Sequence, residues 1–250
     1  MKKKLLMLIF LLNTVIAFSK CGSGGIEFWP SKQTISENSI FIIDGYSTSQ
    51  KIIVGLGKTY GIFLITNNQK IKLNVQEILV GQYGITQAIL KPEINLTIGQ
   101  EYELVIENLG DFEDQVFKYD YSTGENKKIK WKVTSTSDIQ LPTWKEKPIF
   151  VKSIYSKPGC GPVEYANFSF IALDNSDYLI RTTVKNKSTG KETTFYLKAD
   201  NNIISVGHGM CTGAFNFVGS DKFEVEFNLC DASGNLTKWI GERIEFNRPT

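Results

Sequence analysis

The 250-residue chain holds a single histidine, His208. That scarcity excludes every catalytic arrangement needing two imidazoles. It also excludes a closed zinc site built on histidine pairs. Charge of one sign is missing too. Lys and Arg number 28 against 26 acidic residues, for a net +2. The charges are scattered, and the basic footprint of a nucleic-acid-binding protein is absent. Beyond the N-terminus no apolar run approaches the roughly 20 residues of a membrane span. No segment past the first twenty residues shows a three-to-four-residue apolar period, which argues against helical bundles and alternating α/β folds.

What is present begins with "MKKKLLMLIFLLNTVIAFSK". Three lysines precede an apolar run from Leu5 to Phe18 broken only by Asn13 and Thr14, and Ala17 and Ser19 stand where a signal peptidase reads small residues. The pattern predicts an export signal over residues 1–19, cleaved before Lys20. The expected location is periplasmic, cell-surface or extracellular. A rival reading makes Cys21 the acylated first residue of a lipoprotein, although Lys20 and Phe18 occupy places that pattern reserves for a small residue and a leucine. The short lysine-rich signal looks bacterial. In a eukaryotic secretory pathway Asn95, Asn167, Asn186 and Asn235 would be glycosylation sequons.

The remaining chain alternates. In "KFEVEFNL", Phe223, Val225, Phe227 and Leu229 share one face while Lys222, Glu224, Glu226 and Asn228 share the other. A period of two marks a half-buried strand. Strands are also predicted at 39–46, 51–56, 60–66, 71–81, 86–92, 102–109, 129–134, 148–155, 163–173, 178–186, 192–199 and 239–246. Gly, Asn, Asp and Ser at 67–69, 188–191, 218–221 and 231–235 supply turn chemistry between them. In "VEYANFSF", Val163 and Tyr165 are out of phase with Phe168 and Phe170, and a bulge near Ala166–Asn167 would realign them. Many short strands without intervening helices mean sandwiches or barrels. The expected fold class is all-β.

The polar stretch "TSTSDIQLPTWKEKP" interrupts the alternation. It sets expected boundaries at 20–134 and 148–250, with 135–147 as linker. Each part is near the size of an immunoglobulin-type sandwich. Here a resemblance enters. "LKPEINLTIGQEYELVIEN" (90–108) resembles the L-x-P…L-x-x-G-x-x-Y-x-L-x-I pattern of bacterial immunoglobulin-like domains in secreted and envelope proteins. "IEFWPSKQTISENSIFIIDGY" (26–46) is similar to the opening of those domains, and "DASGN" to one of their hairpins. The resemblance implies two tandem immunoglobulin-like β-sandwiches serving as a stalk, spacer or binding module. Its motifs are structural, and they do not include "GCGP" or "GHGMC".

Four cysteines, Cys21, Cys160, Cys211 and Cys230, fall outside the signal. An even number in an exported chain favours two disulfides. Were Cys211 on the same strand as Phe215 and Phe217, parity would place Cys230 on the wrong face to meet it across a hairpin. The preferred pair is Cys160–Cys211, whose loop of about 50 residues would contribute roughly 4 kcal/mol. Cys21–Cys230 is the weaker pair.

"GMCTG" around Cys211 invites a catalytic-thiol reading, with His208 three residues upstream. A nucleophile elbow requires a helix behind the thiol; "TGAFNFVGSDKFEVEF" reads as strand, turn, strand. The stretch is therefore expected to be a stapled β-loop, with no catalytic residue, no metal ligand and no cofactor. Asp174 and Asp177 in "DNSD", and the "GDFEDQ" segment, are the only local calcium candidates, and both read as turns. Asp111, Glu113 and Asp114 of "GDFEDQ" also support a second hypothesis, a β-sandwich hydrolase using paired carboxylates. Trp29, Trp131, Trp144 and Trp239 are the candidates for an aromatic carbohydrate or peptide surface, against which Trp29 and Trp239 suit core corners and Trp144 a wedge at the linker. The leading expectation is an exported, non-enzymatic module that binds an envelope protein or a glycan, or spaces other parts at the envelope.

Overall fold

A computed structural model describes residues 21–250 except Ser23 and Tyr121; the expected export signal lies outside the described residues. The chain is all-β. Its first half runs β1 (Gly24–Trp29), β2 (Thr34–Ser36), β3 (Phe41–Ser47), α1 (Gln50–Gly55), β4 (Ile62–Ile65), β5 (Lys70–Val80), β6 (Ile85–Pro92) and β7 (Glu101–Ile106). A 3-10 turn at Gly110–Gln115, β8 (Phe117–Asp120), β9 (Glu125–Lys128) and β10 (Lys130–Ser135) complete it. The second half comprises β11 (Thr143–Ser156), β12 (Val163–Leu173), β13 (Tyr178–Asn186), β14 (Glu192–Leu197), β15 (Ile203–His208), β16 (Lys222–Asp231), β17 (Leu236–Thr237) and β18 (Ile244–Asn247).

In the first half the strands hydrogen-bond in the order β1-β3-β6-β5-β4-β7-β10-β2. The sheet turns over at β5, whose Lys70–Lys72 pair with β4 while Leu73–Val80 pair with β6 across a register shift at Val75/Glu77. Such a shift adds twist and bends the strand. Phe41 of β3 and Trp131 of β10, distant along the strand order, therefore meet with ring centroids 4.7 Å apart in a common core. In the second half the three-stranded sheet β11-β12-β15 faces β14-β13-β16-β17, with β18 also on β16. Phe168 and Phe227 close that core at 5.0 Å.

The two halves pack on each other through a third apolar cluster. Trp29, Ile40, Ile42 and Ile89 meet Leu179, Cys230 and Ala232. The main chain crosses as well: Ile40 N donates to Ala232 O (2.8 Å), and Tyr83 and Gly213 exchange bonds of 3.1 and 2.7 Å.

Several strand expectations change. Residues 51–56 are mostly the helix α1, because Ile52, Ile53 and Leu56 are buried while Lys51 and Val54 are exposed. Those spacings of one and four residues are one face of a helical turn, and a short apolar run does not distinguish helix from strand by periodicity. Residues 143–147, expected in the linker, already belong to β11. Trp144 accordingly packs edge-on against Phe170 within the second half (5.4 Å) rather than between halves. The bulge expected in β12 is not there. Glu164, Ala166, Phe168 and Phe170 form one continuous buried series, and the irregularity sits opposite, in β11 between Phe150 and Lys152. A charged residue at an inward position hid this phase from the sequence.

Candidate functional site

The cysteine pairing is the sharpest correction. Cys211 bonds Cys21, not Cys160, and Cys230 is a buried thiol 2% exposed rather than the partner of Cys21. Cys211 does not continue a strand through Phe217, the condition on which strand parity would apply. Instead β15 ends at His208 and Cys211 lies in the loop behind it. The Tyr83–Gly213 bridge holds that loop against the first half. With its sulfur in a disulfide, Cys21 has none left for a lipid thioether.

His208 is also held fast. Its residue is 2% exposed, Nδ1 lies 2.9 Å from Gly209 O, and the ring packs on Tyr83 with centroids 4.5 Å apart. Nε2 faces Glu164 Oε2 at 3.9 Å. Glu164, 1% exposed, accepts from Arg248 Nη2 at 2.6 Å. Glycine is required here for close approach. A Cβ on Gly207 (φ +148) would stand 1.9 Å from Glu164 O, and one on Gly213 would stand 2.3 Å from His208 Cα. The "GHGMCTG" stretch thus packs three segments together, with its sulfur and its imidazole both engaged.

The carboxylates divide differently from the sequence grouping. Asp111 and Glu113 are exposed on the 3-10 turn, whose Phe112 packs on the first core beneath Lys51. Asp174 instead meets Asp138 and Asp231, with one carboxylate oxygen of each within 4.8 Å of the others. Their oxygens serve local turns. Asp174 Oδ1 accepts from Ser176 N and Oγ (both 2.7 Å), Asp138 Oδ1 from Gln140 N (2.9 Å), and Asp231 from Ser233 N, Asn235 N and Asn235 Nδ2. Burial, with the nearby Asp174 charge, raises the Asp231 pKa despite those donors. A cavity of about 160 Å³ beside them is small and lies between the halves, lined by Asp138, Ser176 and Asp177.

A larger concavity lies elsewhere. A groove of about 920 Å³ runs between β1 and the β8–β9 hairpin. "ENKKIKWK" supplies much of its wall. Alternation turns Lys128 and Lys130 outward, while Ile129 and Trp131 go down into the core. Trp131 Nε1 donates to Pro30 O at 3.0 Å, fixing the floor to the end of β1. Five lysines line the groove, Lys118, Lys127, Lys128, Lys130 and Lys198, against two carboxylates, Glu27 and Asp120. Lys198 comes from the second half, so the site spans both. Lys127 pairs with Asp120, Lys128 with Glu103 (2.7 Å) and Lys130 with Glu101 (3.0 Å). Such solvent-exposed pairs are worth little and are readily exchanged. Phe117 and Tyr119 present exposed rings on the hairpin. The strand pattern of the sequence placed a strand at 129–134 but none at 117–120, and β8 is half of the groove's wall. An aromatic-bearing strand at 117–120 beside "ENKK" was the available signal.

No protein-family model matches the chain, and no curated protein matches it. Among solved structures, a type I pullulanase from Bacillus subtilis complexed with maltose aligns at 10% identity and a TM-score of 0.25. It covers 91% of this chain and 24% of its own. A maltotriose complex of a pullulanase from Anoxybacillus sp. LM18-11 aligns at 9% identity and 0.25, covering 84% and 24%. A DUF4785 family protein from Legionella pneumophila aligns at 10% identity and 0.23, covering 92% and 58%. The chain thus spans about a quarter of the pullulanase chains. Likeness at these scores assigns neither fold family nor activity.

Proposed function

We propose that the protein is an exported, non-enzymatic module of two immunoglobulin-like β-sandwiches that binds an extended anionic chain in the groove between β1 and the β8–β9 hairpin. The two sandwiches correspond to the halves β1–β10 and β11–β18. The observation that carries the reading is the groove itself, about 920 Å³, open, and lined by five lysines over an apolar floor. Concavity, apolar surface and a few placed polar or charged groups are what a binding cleft needs. The paired-carboxylate alternative gains no support from Asp111 and Glu113, which stand on an exposed turn away from the groove. Export is supported by the disulfide, which persists in oxidising compartments. Among the described residues no helix is long and apolar enough to cross a membrane.

The test is titration calorimetry with two probes, poly-L-glutamate and polygalacturonate. Saturable binding of at least one is expected, weakening as salt rises. The double variant Lys118→Glu/Lys198→Glu should lose about tenfold in affinity, an effect of about 1.4 kcal/mol. Failure of both probes to bind, or equal binding by the double variant, overturns the groove reading.

A further inference from the structure

The sheet edges of this protein are not equally open. β14 is an edge strand, but the Gln87 side chain covers its Tyr196 N–H and C=O at 2.9 and 3.2 Å. β15 is covered near its end by the chain behind it, with Phe215 N on Gly207 O. β11 is long and carries apolar side chains in solvent, yet Pro148, Lys145, Lys147, Lys152 and three register shifts interrupt it. Proline, lysine and bulges are the features that discourage pairing at an edge. β2, β17 and β18 are only three, two and four residues long.

β1 differs. Among the described residues its six residues pair with β3 alone, in continuous register from Gly24↔Ser47 to Trp29↔Ile42. No lysine, proline or bulge breaks it, and its sole charge is Glu27. Ile26, Glu27 and Phe28 line the groove, so the strand's second edge borders that space. An open, regular edge beside a basic wall satisfies the two requirements of strand addition, main-chain donors and acceptors for affinity and side-chain surfaces for selection.

Resting on the groove reading above, we infer that the ligand is an acidic peptide segment, which adds to β1 as a further strand while its carboxylates meet the lysines of the hairpin and Lys198. Glu103 and Glu101 answer Lys128 and Lys130 from outside the lining, so the five lysines exceed the nearby carboxylates by one, a balance that favours acidic over basic peptides. Recognition by main chain leaves the sequence of the peptide loosely specified except for its charge.

The experiment uses three probes on the intact chain: a peptide of alternating Glu and Val, the same peptide N-methylated at alternate residues, and polygalacturonate. N-methylation keeps the carboxylates and removes main-chain donors. The expected result is that the unmodified peptide binds, that N-methylation costs at least about tenfold, and that amides of β1 not bonded to β3 exchange more slowly in the complex. Equal binding of the two peptides, or unchanged exchange in β1, overturns strand addition and leaves the anionic groove standing. Binding of polygalacturonate alone has the same consequence. Failure of all three probes, together with poly-L-glutamate, overturns both readings.

Discussion

The carboxamide of Gln87 on β6 completes the edge of β14 as a neighbouring strand would. Its Oε1 accepts from Tyr196 N at 2.9 Å, and its Nε2 reaches Tyr196 O at 3.2 Å and Asp44 Oδ1 at 2.7 Å. One side chain, 1% exposed, therefore satisfies main-chain groups of the second half and a carboxylate of the first. Gln87→Leu keeps much of the volume but strands a buried donor and acceptors. Each stranded group costs about 1–3 kcal/mol, so urea unfolding should show a loss of about 2–4 kcal/mol. Gln87→Glu should also destabilise, and more so at high pH, because it sets a second carboxylate against Asp44.

Asp44 itself is pushed up to about 7, chiefly by burial between the halves, with Glu27 opposite it on β1 adding repulsion and Gln87 partly offsetting both. A carboxyl raised in the fold binds its proton more tightly folded than unfolded. Its contribution is therefore favourable at low pH and lost as pH rises between about 4 and 7. Asp44→Asn should flatten that part of the stability–pH profile. It should stabilise the protein at pH 8 by about 1–3 kcal/mol, less than the full linkage value because Asp44 keeps some solvent access. A variant with an unchanged profile would show that Asp44 is ionised throughout.

Cys21 and Cys211 are 190 residues apart in sequence, so their bond ties the start of β1 to the loop behind β15. Cys21→Ser or mild reduction should cost about 2–5 kcal/mol by freeing the unfolded chain. Non-reducing peptide mapping should recover the Cys21–Cys211 link. Cys230 should resist alkylation until the protein is unfolded, since burial and the adjacent Asp231 raise its thiol to about 12.

Arg248 supplies the ion pair of a Glu164 that is 1% exposed. Removing one partner of a buried pair is far costlier than the pair is worth. Arg248→Ala should cost about 2 kcal/mol, since the guanidinium retains some solvent contact. Adding Glu164→Gln to that variant should recover part of the loss in thermal denaturation. Additive losses would assign Arg248 a packing role instead.

Much of the strand content was legible because a half-buried sheet writes its burial as alternation. Phe223, Val225, Phe227 and Leu229 are all buried in β16, as their spacing requires. Turns carried their own chemistry: Gly190 and Gly234 take positive φ in the β13–β14 and β16–β17 connections. Structure departs from the local pattern where a tertiary partner overrides it. Glu164 points inward because Arg248, distant in sequence, meets it there. α1 is a helix because β3 and β6 offer a surface that its buried isoleucines cover. β9 has no apolar residue to show a period, and the aromatic alternation of β8 spans only four residues.

By itself the sequence determined the strand-rich architecture, the turn positions and the absence of a second imidazole, all of which depend on neighbours within a few residues. The tertiary structure alone decided which sulfurs join, that Gln87 closes the edge of β14, and that Lys198 reaches the groove beside β1. Those are meetings between residues tens to hundreds of positions apart. Their distances are set by how two folded sheets pack, and no local periodicity encodes that.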